Sequence, residues 1–351
     1  MKFRKFYKTF RFSLIPLSYI YGILFFLYRL VYKLNILSAA TFDKKIISVG
    51  NISSGGVGKT PLVIFLSRFL LERNKKVVVV TLGYKRKDRG KIIDICDEEY
   101  AKRDTGDEAW LISRKAQVPV VVSNDKRAGC SYAIEKYNPD IILLDDGFQT
   151  FSIKRYLDIV LLDTTDTIEN FSLLPAGKLR ESPNALKRAD IIILTRCNQA
   201  HKKDVARTYN IARKQNKDVP IFFAEHNPVN LLNWQARQFV EPFLLKHKRF
   251  LAISSIGNNN SFLLTLKELG LRVYYKITYI DHHRYKEKDI KRIKHIIIKE
   301  GLEAIITTEK DLYSLQKYVK QLNAPLFILS IELILQNQKG FEAFLKRKDL
   351  I

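Results

Sequence analysis

Cysteine is nearly absent. The 351 residues hold only Cys96, Cys130 and Cys197, far apart and odd in number. That excludes a disulfide framework and any paired zinc spacing, and it points to a reducing compartment. Glycine (15) and proline (10) are sparse, which excludes a collagen-like or low-complexity chain. No internal repeat is present. Acid is short against base: 36 Asp and Glu face 60 Lys and Arg, for a net charge of +24. Such an excess calls for an anionic partner, whether nucleic acid, a lipid surface or a phosphorylated substrate. The basic residues are scattered and no nucleic-acid-binding motif occurs, so no nucleic-acid partner is expected. Hydrophobic residues at 46% and charged residues at 27% are near globular averages, so the chain can bury a sizeable core in about two domains.

The first 40 residues carry seven Lys or Arg and no acid. Phe12 to Tyr28 runs without charge, broken by Pro16 and Gly22. This is close to the ~20 apolar residues of a spanning helix. Tyr19, Tyr21, Tyr28 and Tyr32 suit a membrane interface, where rings bury and hydroxyls stay wet. Three readings compete: a secretory signal, a spanning helix, and a helix lying in one leaflet. The basic start places the N-terminus in the cytoplasm. A spanning helix would then export the rest of the chain, away from the ATP that the next motif needs. The expectation is a membrane-associated helix over 1–40 at the cytoplasmic face.

Lys45-Ile46-Ile47-Ser48-Val49 reads as a short strand. Gly50-Asn51-Ile52-Ser53-Ser54-Gly55-Gly56-Val57-Gly58-Lys59-Thr60 follows, then a helical pattern from Pro61 to Leu70. Strand, glycine-rich loop and helix together form a phosphate cradle, because backbone N–H groups and the helix dipole converge on the anion. Ser53, Ser54, Gly55, Gly56, Val57, Gly58, Lys59 and Thr60 are the nucleotide-binding candidates. Lys59 reaches the β/γ-phosphates and the Thr60 hydroxyl ligates Mg²⁺. The strict pattern wants glycine where Ser53 stands. A metal-binding acid is expected at the carboxyl end of another strand, and Asp140-Ile141-Ile142-Leu143-Leu144-Asp145-Asp146-Gly147 supplies one in Asp145 or Asp146.

Short aliphatic runs recur at 75–82, 118–123, 157–162, 189–195 and 221–224, then at 249–254, 272–278, 304–307 and 325–330. Runs of this kind are parallel strands buried on both faces. Residues 260–269 and 287–299 read as helices. The stretch around 227–247 has weak periodicity and contains Pro228 and Pro242. The expected fold is therefore α/β: a parallel α/β/α sheet of the P-loop NTPase type over 41–226, a connection over 227–247, and a smaller α/β/α unit over 248–351.

Further motifs stand in order along nearly the whole chain: Gly83-Tyr84-Lys85-Arg86, Gly106-Asp107-Glu108, Leu144-Asp145-Asp146-Gly147-Phe148-Gln149, Leu174-Pro175-Ala176-Gly177-Lys178-Leu179-Arg180-Glu181, Asp281-His282-His283-Arg284-Tyr285 and Thr307-Thr308-Glu309-Lys310-Asp311. Together with the loop at 49–61 they resemble the tetraacyldisaccharide 4′-kinase (lipid A 4′-kinase) family. The resemblance implies transfer of the γ-phosphoryl of ATP to the 4′-hydroxyl of a tetraacylated glucosamine disaccharide 1-phosphate, at the cytoplasmic face of a bacterial inner membrane. It implies two α/β/α domains with the active site between them, and Asp107 and His282 as a catalytic dyad beside Lys59. Glu108, Gln149, Arg180 and Glu181 follow as substrate-contact candidates. Lys85, Arg86, Lys126 and Arg127 are candidates to face an anionic head group. The chain departs from the family pattern at Leu82, Thr150 and Tyr279-Ile280. The alternative is a membrane-associated P-loop ATPase of the cell-positioning type, which carries a lysine where this chain has Ser54.

Overall fold

A computed structural model describes residues 2–83, 92–95, 105–167 and 171–351, with side chains from residue 13. Tyr84, Lys85, Arg86 and Cys96 lie outside the described residues. In chain order the elements are α1 (Lys2–Lys33), β1 (Lys45–Asn51), α2 (Lys59–Leu71), β2 (Val77–Thr81), β3 (Ile93–Asp94), α3 (Asp107–Ala116), β4 (Val120–Val122), α4 (Lys126–Tyr137), β5 (Ile141–Asp145), β6 (Leu157–Asp163), β7 (Ile191–Thr195), α5 (Lys202–Gln215) and β8 (Ile221–Asn233). They continue as β9 (Gln238–Val240), β10 (Arg249–Ser254), α6 (Asn259–Glu268), β11 (Arg272–Thr278), α7 (Glu287–Lys299), β12 (Ala304–Thr308), α8 (Glu309–Leu315), β13 (Leu326–Leu335) and α9 (Gln338–Arg347).

The strands form one path, β11-β10-β12-β13-β8-β7-β6-β1-β5-β2-β4-β3, with β9 paired to β8. Pairing is parallel except at β13–β8, β8–β9 and β3–β4. Every residue of β2, β5, β6 and β7 is buried. Helices cover both faces, so the aliphatic runs need no alternation of polar residues. Around β1 and β5, α2 and α3 pack one face with Leu62, Val63 and Ile112, and α4 packs the other with Cys130 and Ala133. The second group of strands is layered likewise, between α7 with α8 and α6.

The expected connection is itself sheet. Over 13 residues β8 pairs first with β7, through Ile221–Phe223, and then with β13 out to Asn233. Pro228 does not break it, because the register shifts between Ser330 and Ile331 beside that proline. A bulge tolerates the missing donor. The chain crosses to the second unit on β8 and comes back on β13. Leu333, Leu335, Phe341, Leu345 and Leu350 then join the core of the first unit. The final residues of the expected 248–351 unit thus complete the core of the first.

Helix α1 runs unbroken through Pro16 and Gly22. Residues Ser13–Lys33 are long and apolar enough to cross a membrane. One face docks on the protein. Ser18 Oγ donates to the Leu173 carbonyl (3.0 Å) and accepts from the Ala176 amide (3.0 Å), and Tyr21 OH donates to the Arg180 carbonyl (3.0 Å). Phe25, Tyr28 and Tyr32 pack around Phe151. The other face leaves Leu17, Tyr19, Ile20, Ile23, Leu24 and Leu27 exposed.

Candidate active site

The carboxyl ends of β1, β5 and β7 and the facing end of β10 enclose a cavity of about 630 Å³. Its floor is the loop between β1 and α2. Gly55 (φ +112°) and Gly58 (φ +96°) take conformations that favour glycine. Gly58 begins α2, so the loop delivers Ser54, Gly55, Gly56, Val57, Lys59 and Thr60 to the cavity at the helix N-terminus. Ser53 does not reach it; it is buried and bridges to Leu179. Lys59 Nζ lies 3.1 Å from Asn51 Oδ1 and 3.5 Å from Asp146 Oδ1.

Asp145 and Asp146 end β5 with different surroundings. Asp146 receives both its oxygens' bonds from Arg180 Nη1, at 2.9 Å each. Burial opposes its charge, yet Lys59, Arg180 and Lys126 outweigh burial and hold the carboxyl well below its usual range. Asp145 accepts from Thr81 Oγ1 (2.9 Å) through Oδ2, while its buried Oδ1 has no partner among the described residues. Burial and the nearby Glu108 push this carboxyl up to about 6. A buried, orphaned carboxylate oxygen in the cavity that Thr60 also lines fits a hard cation. No group of three acids, histidines or cysteines that could hold a metal ion by themselves is present among the described residues. That suits Mg²⁺, which shares its coordination between one or two protein ligands, water and substrate phosphates.

Lys126 does not face outward. Its Nζ is buried and donates to the carbonyls of Asp145 (2.8 Å) and Asp146 (2.6 Å) and toward Thr150 Oγ1 (3.4 Å), tying down the turn after β5. Arg127 is exposed and pairs with Asp125. Gln149 and Glu181 stand behind the wall rather than on it. Gln149 Nε2 bonds the Asn51 carbonyl and Glu181 Oε1 (2.9 Å each), and Glu181 is gripped by Arg188 at 2.8 and 2.9 Å. Arg180 and Glu108 do line the cavity.

The opposite wall comes from the second unit. Gly257 sits against the phosphate loop, where a Cβ would stand 2.3 Å from the Gly56 nitrogen. His282 has φ +59°, and its amide donates to the Ser255 carbonyl (3.2 Å). That conformation turns the imidazole back to the first unit, with Nδ1 2.9 and 3.0 Å from the two oxygens of Asp107. Burial works against the Asp107 charge, but the His282 bond and the Lys310 ammonium prevail and keep it ionised below its ordinary value. The neighbouring His283 points elsewhere: it bonds Asp289 (3.0 Å) and stacks on Tyr279 at 4.1 Å.

Two features went unread in the sequence. Arg196 reaches over the loop, pairing with Asp163 and donating to the Gly56 carbonyl (2.6 Å). His226 is buried behind Gly58, with both ring nitrogens unpartnered among the described residues; burial, with Arg196 adding to it, pushes it down to about 3. Neither belongs to a local pattern, since β7 and β8 bring them to the loop only through the sheet.

The sequence profile of the family described as Tetraacyldisaccharide-1-P 4′-kinase (LpxK) matches residues 10–349. The chain belongs to this family. It is 30% identical over 344 residues to a tetraacyldisaccharide 4′-kinase of Halothermothrix orenii, covering 93% of this chain and 89% of that relative. It is 35% identical over 308 residues to one of Syntrophus aciditrophicus, covering 85% and 82%. The crystal structure of LpxK from Aquifex aeolicus in complex with ATP superposes with a TM-score of 0.73 at 31% identity, covering 97% of this chain and 99% of that one. The protein is accordingly an ATP-dependent kinase of lipid A biosynthesis that uses Mg²⁺-ATP, and not an ATPase of the cell-positioning type. Its substrate is a lipid A precursor.

Proposed function

We propose that this kinase phosphorylates the 4′-hydroxyl of a tetraacylated glucosamine disaccharide 1-phosphate with Asp107 as general base, at the cytoplasmic face of the inner membrane. The observation that carries this reading is one cavity with Lys59 on its floor and His282 on its opposite wall, the imidazole bonded to Asp107 just behind that wall. Phosphoryl transfer asks mainly for positioning and charge neutralisation. Amides of the loop and Lys59 hold the β- and γ-phosphates. Asp107 takes the acceptor proton as the new O–P bond forms and the bond to the β–γ bridging oxygen breaks. His282 orients the carboxylate and stabilises the protonated pair. Thr60 and Asp145 Oδ1 would hold the magnesium, which when bound offsets phosphate charge. Asp146, already gripped by Arg180 and near Lys59, instead positions those two cations. Gln149 and Glu181 support this wall without touching substrate.

The α1 docking supports the membrane reading. Contacts from Ser18 to Tyr32 lay one helix face along the soluble part, which favours a helix lying in one leaflet over one that spans. Tyr21 bonds the carbonyl of Arg180, so the lipid surface and the phosphate site share a wall. The test is transfer of ³²P from [γ-³²P]ATP to the lipid disaccharide. Lys59→Ala should lose ~10³-fold in kcat/KM with folding little changed. Activity within tenfold of the parent would remove the loop from the reaction.

A further inference from the structure

Lys310 is where the two halves of the cavity meet. It stands on α8, in the second unit, 16% exposed, with its ammonium 3.1 Å from Asp281 Oδ1 and 3.2 Å from Glu108 Oε1. It is 3.8 Å from Asp107 Oδ2 and 3.4 Å from His282 Nε2. Asp107 and Glu108 open α3 in the first unit, so one cation links three carboxylates across the divide. Lys115 and Glu309, on the same two helices, make a second bridge at 2.8 Å. That pair already ties α3 to α8, so docking does not depend on Lys310 alone.

The contact with His282 has a chemical consequence. An ammonium has three hydrogens and no lone pair. The imidazole nitrogen that faces it must therefore offer a lone pair. Among the described residues, the carboxylates nearest Nε2 lie beyond hydrogen-bond reach, Asp281 at 3.7 Å and Glu108 at 4.0 Å. The ring hydrogen is then left on Nδ1, directed at Asp107. We propose that Lys310 is a positioning residue for phosphoryl transfer, fixing His282 as the Nδ1–H tautomer and holding Asp107 in register with it across the two units. The proposal rests on the dyad reading above. Its support is the geometry. The charges around Lys310 agree with it: burial would lower the ammonium, but Glu108, Asp107 and Asp281 hold it well above its ordinary value, so it remains a donor at any working pH.

Lys310 acts through other groups, so its removal should alter protonation as well as rate. The groups facing Asp107 are His282, Lys310 and, more remotely, Glu108 and Asp281. Without Lys310 the Asp107 carboxyl keeps its acidic neighbours and loses a cation, and its titration moves to higher pH. Lys310→Met should lower kcat about 10²-fold, within the range of acid–base positioning, and leave KM for ATP within about threefold. The acid limb of its kcat–pH profile should move up by half a unit or more. Lys310→Gln, which keeps a polar head without charge, should show the same displaced limb, and it carries the test if the Met variant does not fold. Imidazole ¹⁵N NMR of the nucleotide-free protein supplies a reading independent of turnover. The parent should show His282 protonated at Nδ1 alone, and both variants should show mixed tautomers.

The proposal is overturned if kcat stays within threefold with an unmoved acid limb. It is equally overturned if the parent imidazole carries its hydrogen at Nε2 or at both nitrogens. Failure of the dyad reading looks different: Asp107→Ala and His282→Ala would stay active while the Lys310 variants still scramble the tautomer.

Discussion

Asp107 and His282 are two residues whose energies cannot be assigned separately, because one hydrogen bond of 2.9 Å belongs to both. Removing either should cost roughly 10²–10⁴-fold in kcat, the usual size of a general-base term. The double alanine variant should be no more than about tenfold worse than the worse single, since groups that act as a unit are strongly non-additive. Asp107→Asn should resemble Asp107→Ala, because the amide keeps the shape and cannot take the proton. His283→Ala is the control. Its side chain is spent on Asp289 and Tyr279, so that variant should keep most of its activity. Steady-state kinetics on the four variants and the double decide the matter, and fully multiplicative losses would dissolve the dyad.

Among the elements, the turn after β10 and the helix α9 carry the most specific consequences. Gly257 approaches Gly56 so closely that a Cβ would stand 2.3 Å from its nitrogen and 2.9 Å from its Cα. The obstacle is backbone, which cannot swing aside. Gly257→Ala should push the second unit off the phosphate loop and raise KM for ATP tenfold or more, a cost of about 1.4 kcal/mol. Isothermal titration with ATP reads this directly, and unchanged affinity would mean that the contact is not part of the nucleotide-binding state. Helix α9 comes last in sequence yet packs Phe341 against Phe65, Phe69 and Phe222, with ring centroids 6.5, 5.9 and 5.3 Å away. Phe341 is fully buried. Phe341→Ala should cost about 3–5 kcal/mol, seen as a loss of midpoint in urea unfolding. A loss under 1 kcal/mol would show that the first unit folds without the end of the chain.

For the whole molecule, the +24 charge and the bare face of α1 act together. Apolar burial and attraction to anionic lipid both contribute to interfacial binding, and only the second is screened by salt. Cosedimentation with vesicles containing anionic lipid should therefore weaken between 50 and 500 mM salt without vanishing, taking those concentrations as about one decade of screening. Deleting residues 1–40 should abolish the salt-resistant part. Because Tyr21 also braces the Arg180 carbonyl, that deletion should lower turnover on detergent-dispersed substrate as well, though by less than on vesicles. An equal loss on both substrates would separate α1 from the membrane.

The sequence by itself determined the parts whose information is local. The phosphate loop needs glycines, Lys59 and Thr60 within a few positions between a strand and a helix, so it is legible wherever it occurs. The parallel strands announce themselves because burial on both faces demands unbroken aliphatic runs, as in Val77–Thr81 and Ile191–Thr195. The motif order was enough to place the chain near its family. Only the tertiary structure decided the rest. Asp145 and Asp146 are adjacent in the chain, and their different partners, Thr81 and Arg180, arrive from distant strands and loops. Lys126 became an internal brace, and Glu181 a partner of Arg188, because burial requires each charge to find its nearest complement. The antiparallel pairing of β8 with β13 turned a weakly patterned stretch into the joint of the molecule. Only four of the 13 residues of β8 are fully buried, so its pattern was faint, and its register comes from a partner about a hundred residues away. Lys310 acquires its meaning in the same way: it is not unusual in sequence, and its role depends on which carboxylates the fold sets within 4 Å.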